Sequence, residues 1–166
     1  MKISRIETIH LGDIPHDVGS LVELRRCTST PLLATEYLMT RYEYRPLLEA
    51  RGADIVIIDP TWTGGVTEGR KIASMAEAYN LPVTMHDCTG PLTLFAGVHL
   101  ALSAPNAMYQ ETVRAFLRTF YPELVTESVV IQDGHILAPT APGLGTALLP
   151  DLARRPDATL VESVPT

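Results

Sequence analysis

The feature that most constrains this chain is the run Asp54-Ile-Val-Ile-Ile-Asp-Pro60. Four consecutive β-branched residues favour a strand, and the absence of polar alternation predicts one covered on both faces, as in parallel sheets. The strand runs into a carboxylate, Asp59, and then into a turn at Thr61-Trp-Thr-Gly-Gly65. A helical pattern follows from Val66 to about Tyr79, with Ile72, Met75, Ala76 and Tyr79 on one face. A second short strand, Leu81-Pro-Val-Thr-Met85, then delivers His86. Strand, polar residue, loop, helix, strand, polar residue is the sequence form of a βα repeat.

The layout recurs on either side. Pro31-Leu-Leu-Ala-Thr35 ends in Glu36, and Ala107-Met-Tyr-Gln110 ends in Glu111. Successive ionisable strand ends, Glu36, Asp59, His86 and Glu111, stand about 25 residues apart, the length a strand, helix and two loops need. The expected fold is α/β, a half β/α barrel of about four βα units. Reactive side chains belong at the C-terminal ends of such strands. The alternative is an open doubly wound sheet that binds a small anion at Thr61–Gly65 and carries helices on both faces.

Elsewhere, residues 2–11 read as a strand. Asp17 is placed to cap a helix from Val18 to about Cys27. Thr40 is a candidate cap for the next helix. Pro46 falls in its interior, so that helix is expected to start near Arg45 or to kink, with Gly52 as its C-terminal cap. Gly90-Pro91 opens a helix over Leu92–Ala104, and another follows Glu111 to about Thr119. Asp133-Gly134 marks a hairpin within Val129–Leu137. The Pro- and Gly-rich tail is expected to wrap the surface, with a short helix near Leu149–Arg155.

Charge and composition exclude some partners. The formal net charge of −6 leaves no basic stripe for nucleic acid. No apolar run approaches the roughly 20 residues of a membrane span. The first residues lack the apolar core of a signal peptide. Cys27 and Cys88 lie far apart, which suits a reduced cytoplasmic protein, a disulfide between them being the lesser alternative.

Asp59 and His86 stand at strand ends where reactive side chains sit in such folds, against a solvated Asp and a packed His. Asp87 suits a cap for the following helix, and Gly64-Gly65 a tight turn. Cys88 reads as a small packing residue rather than a nucleophile. Trp62 is a candidate pocket wall. His10, His16, His99 and His135 carry no partner pattern.

These segments resemble the mandelate racemase-like branch of the enolase superfamily, especially its acid-sugar dehydratases of the galactonate or mannonate type. The resemblance is carried by Ser29–Glu36, Asp54–Asp59 with Thr63-Gly-Gly65, Met85–Pro91 and Tyr109–Glu111. It implies a lyase acting on a small acid-sugar carboxylate. Glu36 would be one of three Mg²⁺ ligands, Asp59 would orient His86 as general acid or base, and Glu111 would hydrogen-bond the substrate carboxylate. It also implies three parts: a remnant of a capping-domain strand over 1–16, the C-terminal half of the barrel over 17–120, and a hairpin and tail over 121–166.

The departure from the family pattern is large. A full β/α barrel takes about 250 residues, and this chain has 166. The segment that would carry the lysine base and two further metal ligands is missing, as if by internal deletion. The only lysines are Lys2 and Lys71. The expectation is impaired catalysis, the alternative being a non-catalytic remnant or self-associating binding module. Exposed sheet edges predict a homo-oligomer.

Overall fold

The structure, a computed structural model, describes residues 16–161. The strand expected over residues 2–11 lies outside them. The element order is α1 (Val18–Cys27), β1 (Leu33–Ala34), α2 (Thr40–Glu49), β2 (Ile55–Ile58), α3 (Val66–Ala78), β3 (Val83–Met85), α4 (Pro91–Ser103), β4 (Ala107–Gln110) and α5 (Arg114–Arg118). A two-stranded hairpin follows, β5 (Ile131–Gln132) and β6 (His135–Ile136).

β1 to β4 form one parallel sheet in sequence order. Val56 and Ile58 pair with Val83 and Met85, and Met85 pairs with Gln110. Right-handed crossovers between strands in sequential order place every helix on the same face. In agreement, α2 packs on α3 and α3 on α4. The doubly wound alternative, with helices on both faces, is therefore not what forms. The result is a partial β/α barrel.

The core lies between sheet and helices. Val56, Ile58, Val83 and Met85 meet Leu48, Ile72 and Leu100 there. Side chains alternate along a strand, so Ile57 and its partner Thr84 point to the other, inner face. Two residues on, Asp59 and His86 point the same way. This alternation brings the two chemistry-bearing side chains together.

Asp17 caps α1 as expected, its side chain accepting from the Ser20 N–H. The late start near Arg45 is not what forms: α2 begins at Thr40 and keeps Pro46 inside it, as the other alternative required. Its first N–H groups find acceptors, two of them distant in sequence. Met39 N–H donates to Glu43 Oε2 (2.6 Å), Arg41 N–H to Glu68 Oε1 (2.9 Å) and Thr40 N–H to the Thr63 carbonyl (3.2 Å). Burial of Tyr44, Leu47 and Leu48 outweighs the one donor that Pro46 removes. Thr40 is thus the first residue of the helix rather than its cap.

Gly52 does bond back to the Leu47 carbonyl, but Arg51 takes the left-handed conformation (φ 51°). A Cβ at Gly52 would lie 2.9 Å from Leu47 Cδ1, so a side chain there would push the buried Leu47 tip aside. The expected hairpin forms, with Asp133 and Gly134 both at positive φ. The short helix near the C-terminus is a 3₁₀ turn, Leu152–Arg154. Cys27 and Cys88 are both free. Among the described residues no helix is long and apolar enough to cross a membrane.

Fully buried Tyr44 ties the first two strand ends together, its hydroxyl lying 2.9 Å from the Ile57 carbonyl and 3.1 Å from that of Thr35. Tyr44→Phe removes the hydroxyl that both carbonyls share. We expect a loss of about 1 kcal/mol in denaturant unfolding, and an unchanged midpoint would contradict the assignment.

Candidate acid–base site

Asp59 is fully buried at the end of β2. A buried carboxylate needs donors on both oxygens. Oδ1 accepts the Thr61 N–H (2.7 Å) and the Trp62 N–H (3.1 Å). Oδ2 accepts the Thr89 hydroxyl (2.6 Å) and lies 2.7 Å from His86 Nδ1. The turn that supplies the first two donors closes through the Thr63 N–H to the Asp59 carbonyl (3.0 Å) and the Gly65 N–H to the Pro60 carbonyl (2.8 Å). Gly64 and Gly65 sit at φ 105° and 99°, so the pair serves the tight turn.

His86 ends β3, with its backbone N–H bonded to the Ile58 carbonyl at 2.9 Å. The Asp59 carboxylate only accepts, so Nδ1 carries the hydrogen and Nε2 is the exchangeable position. Nε2 lies 3.8 Å from Glu111 Oε2 and 3.5 Å from Cys88 Sγ. Trp62 walls the site, its ring centroid 5.2 Å from that of His86. Tyr37 stacks on Trp62 in turn at 5.0 Å and 14°. His16, without a role in the sequence reading, lies at the outer end of this column, 6.3 Å from Tyr37.

Glu111 ends the next strand, its N–H bonded to the Met85 carbonyl at 2.8 Å. Its Oε2 accepts the Asp87 N–H at 3.3 Å. Three adjacent strands therefore place Asp59, His86 and Glu111 side by side. Glu36 is not drawn into this cluster by contact: it makes no hydrogen bond or ion pair with another described residue. Among the described residues no group of three His, Cys, Asp or Glu gathers to hold a metal ion.

Two sequence expectations change. Asp87 does not cap α4, whose cap position is Gly90 with no side-chain bond. It is fully buried instead, accepting the Tyr121 hydroxyl (2.7 Å) and the Val113 N–H (3.0 Å). Burial pushes its carboxyl up from the usual range, against the pull of those two bonds. Cys88 is exposed rather than packed. Lost hydration, then the charges of Asp59, Asp87, Glu111 and Glu36, pushes its thiol up, which disfavours a nucleophilic thiolate. Sequence reasoning missed Thr89 and Tyr121. A hydroxyl just before Gly90-Pro91 was a signal for the first, whereas nothing local marks the second.

Residues 14–152 match the family described as enolase C-terminal domain-like. The D-xylonate dehydratase of Haloferax volcanii is 36% identical over 133 residues, 80% of this chain and 32% of the relative. The D-galactonate dehydratase of Ralstonia nicotianae is 34% identical over 131 residues, 76% of this chain and 34% of the relative. A solved enolase protein from Sargasso Sea environmental sequencing superposes with TM-score 0.79 at 44% identity, over 86% of this chain and 38% of that one. A putative dehydratase from Salmonella enterica superposes with TM-score 0.80 at 31% identity, over 84% and 35%. The chain thus spans about a third of the length of the curated relatives it matches. The match runs through every strand end of the site, from Glu36 to Glu111, and on this evidence the chain belongs to the enolase C-terminal domain-like family.

Proposed function

We propose that this chain carries the acid–base part of an acid-sugar dehydratase site, a lyase site for small polyhydroxy carboxylates. The observation that supports this most is the bond between buried Asp59 and His86, which leaves Nε2 turned toward Glu111. The relatives' names, D-xylonate and D-galactonate dehydratase, supply the substrate class.

Dehydration removes an α-hydrogen as a proton and a β-hydroxyl as water. His86 gives a proton from Nε2 to the departing hydroxyl oxygen, while Asp59 keeps the Nδ1 hydrogen in place and stabilises the charged ring. When it carries a proton, Glu111 donates a hydrogen bond to the substrate carboxylate. Trp62 excludes water from one side of the imidazole.

The α-proton has no lysine acceptor among the described residues. Lys71 lies in α3, 3.7 Å from Glu68, away from every strand end. Mg²⁺, which the family resemblance implies, does not fit the described residues by themselves, since Glu36 stands without a companion ligand. By the same resemblance, the lysine and the other ligands belong to the part of the relatives that this chain does not match. Acid–base catalysis alone contributes about 10²–10⁴-fold, well short of the about 10⁶-fold or more typical of enzymes. Catalysis by this chain alone is therefore impaired.

A second reading, a self-associating module, is favoured by the exposed sheet margins. Leu33 is 47% exposed on β1 and Tyr109 67% exposed on β4. Edge strands with apolar side chains favour pairing.

Incubation with D-xylonate or D-galactonate and Mg²⁺ should give no 2-keto-3-deoxy acid above background. A kcat in the ordinary range of about 1–10³ s⁻¹ that is lost in His86→Asn would overturn the claim of impairment. The same turnover surviving His86→Asn would overturn the acid–base assignment itself. In titration calorimetry, Mg²⁺ to millimolar concentration should give no saturable heat. Saturable binding abolished by Glu36→Gln would show a complete metal site. Sedimentation of the chain as a monomer would sink the self-association reading.

A further inference from the structure

Among the described residues, Asp87 is a fully buried carboxyl beside the site that the proposed chemistry leaves unused. It follows His86 directly, so alternation sends its side chain away from the site, into the packing around α4 and the chain beyond it. There the Tyr121 hydroxyl and the Val113 N–H occupy its two oxygens, Oδ1 and Oδ2. Tyr121 is itself locked in a cluster with Leu94, Val98 and Phe116. Meanwhile the backbone N–H of Asp87 donates to Glu111 Oε2. Val113 lies two residues beyond Glu111. One residue thus holds the Glu111 carboxylate directly and its loop just downstream.

That grip matters because Glu111 is otherwise loosely held. Its side chain is 46% exposed and stands 3.8 Å from His86 Nε2, beyond hydrogen-bond length. An exposed carboxylate on a loop retains rotamer freedom unless something restrains it. The Asp87 N–H is the only hydrogen bond its side chain accepts from a described residue.

We propose that Asp87, clamped by Tyr121, is a positioning residue that holds Glu111 beside His86 Nε2 and so couples the tail's packing to the acid–base pair. The functional meaning rests on the dehydratase reading, but the geometry can be tested without turnover. Asp87→Asn keeps the clamp: its amide carbonyl accepts from Val113 N–H and its NH₂ donates to the Tyr121 oxygen. Asp87→Ala and Tyr121→Phe do not.

The test is a double-mutant cycle read on the ¹⁵N chemical shift of His86 Nε2 at neutral pH. Glu111→Gln should move this shift in the wild-type chain and equally in the Asp87→Asn background. In Asp87→Ala the same change should have at most half the effect, and in Tyr121→Phe a reduced one. An undiminished Glu111→Gln effect in Asp87→Ala would overturn the proposal, as would no effect in the wild-type chain. If Asp87→Ala does not fold, Tyr121→Phe decides: a reduced effect supports the clamp and a full effect refutes it. None of these outcomes depends on whether the chain dehydrates an acid sugar.

Discussion

A fully buried carboxylate is the constraint around which the upper end of this sheet is built. Left unpaired, Asp59 would cost several kcal/mol of desolvation. Its four partners come from two different loops. Two are backbone N–H groups of the turn that leaves β2, and this explains why that turn bends as tightly as Gly64 and Gly65 allow. The other two, His86 and Thr89, come from the end of β3 and the approach to α4. Satisfying one charge therefore fixes the entrances of two helices and the orientation of one imidazole. Structure and chemistry share this interaction.

The site is layered outward from that pair. The sheet register puts the ends of β2, β3 and β4 side by side, and alternation turns Asp59, His86 and Glu111 to the inner face. On one side the Trp62 ring lies tilted against the imidazole, with Tyr37 stacked on Trp62 in turn. On the other, the Asp87 carboxyl ties the β3 end to the chain after β4, where Tyr121 belongs to its own apolar cluster on α4. The tail is thus attached to the barrel fragment beside the reactive residues.

Much of this was legible in the sequence because the signals were local or periodic. The unbroken Ile55–Ile58 run marked a strand covered on both faces, and the recurring ionisable strand ends marked the βα units. Asp17, Gly90-Pro91 and Asp133-Gly134 each marked an element boundary by its own stereochemistry. What was not legible depended on partners distant in sequence. Pro46 argued for a late helix start, but Glu68 and Thr63 supply the acceptors that let α2 begin at Thr40. Asp87 looked like a cap for its own helix, but its partners are Val113 and Tyr121, which only the folded chain brings near. Cys88 looked like a packing residue, and only the fold shows it exposed.

Asp59 fixes the Nδ1–H form of His86 and leaves Nε2 as the proton-exchanging atom. The direct measurement is a long-range ¹H–¹⁵N correlation spectrum of the His86 ring at a pH where the ring is neutral. Nδ1 should be protonated and Nε2 bare, with that preference lost in Asp59→Asn. A neutral ring with its hydrogen on Nε2, indifferent to Asp59→Asn, would contradict this assignment.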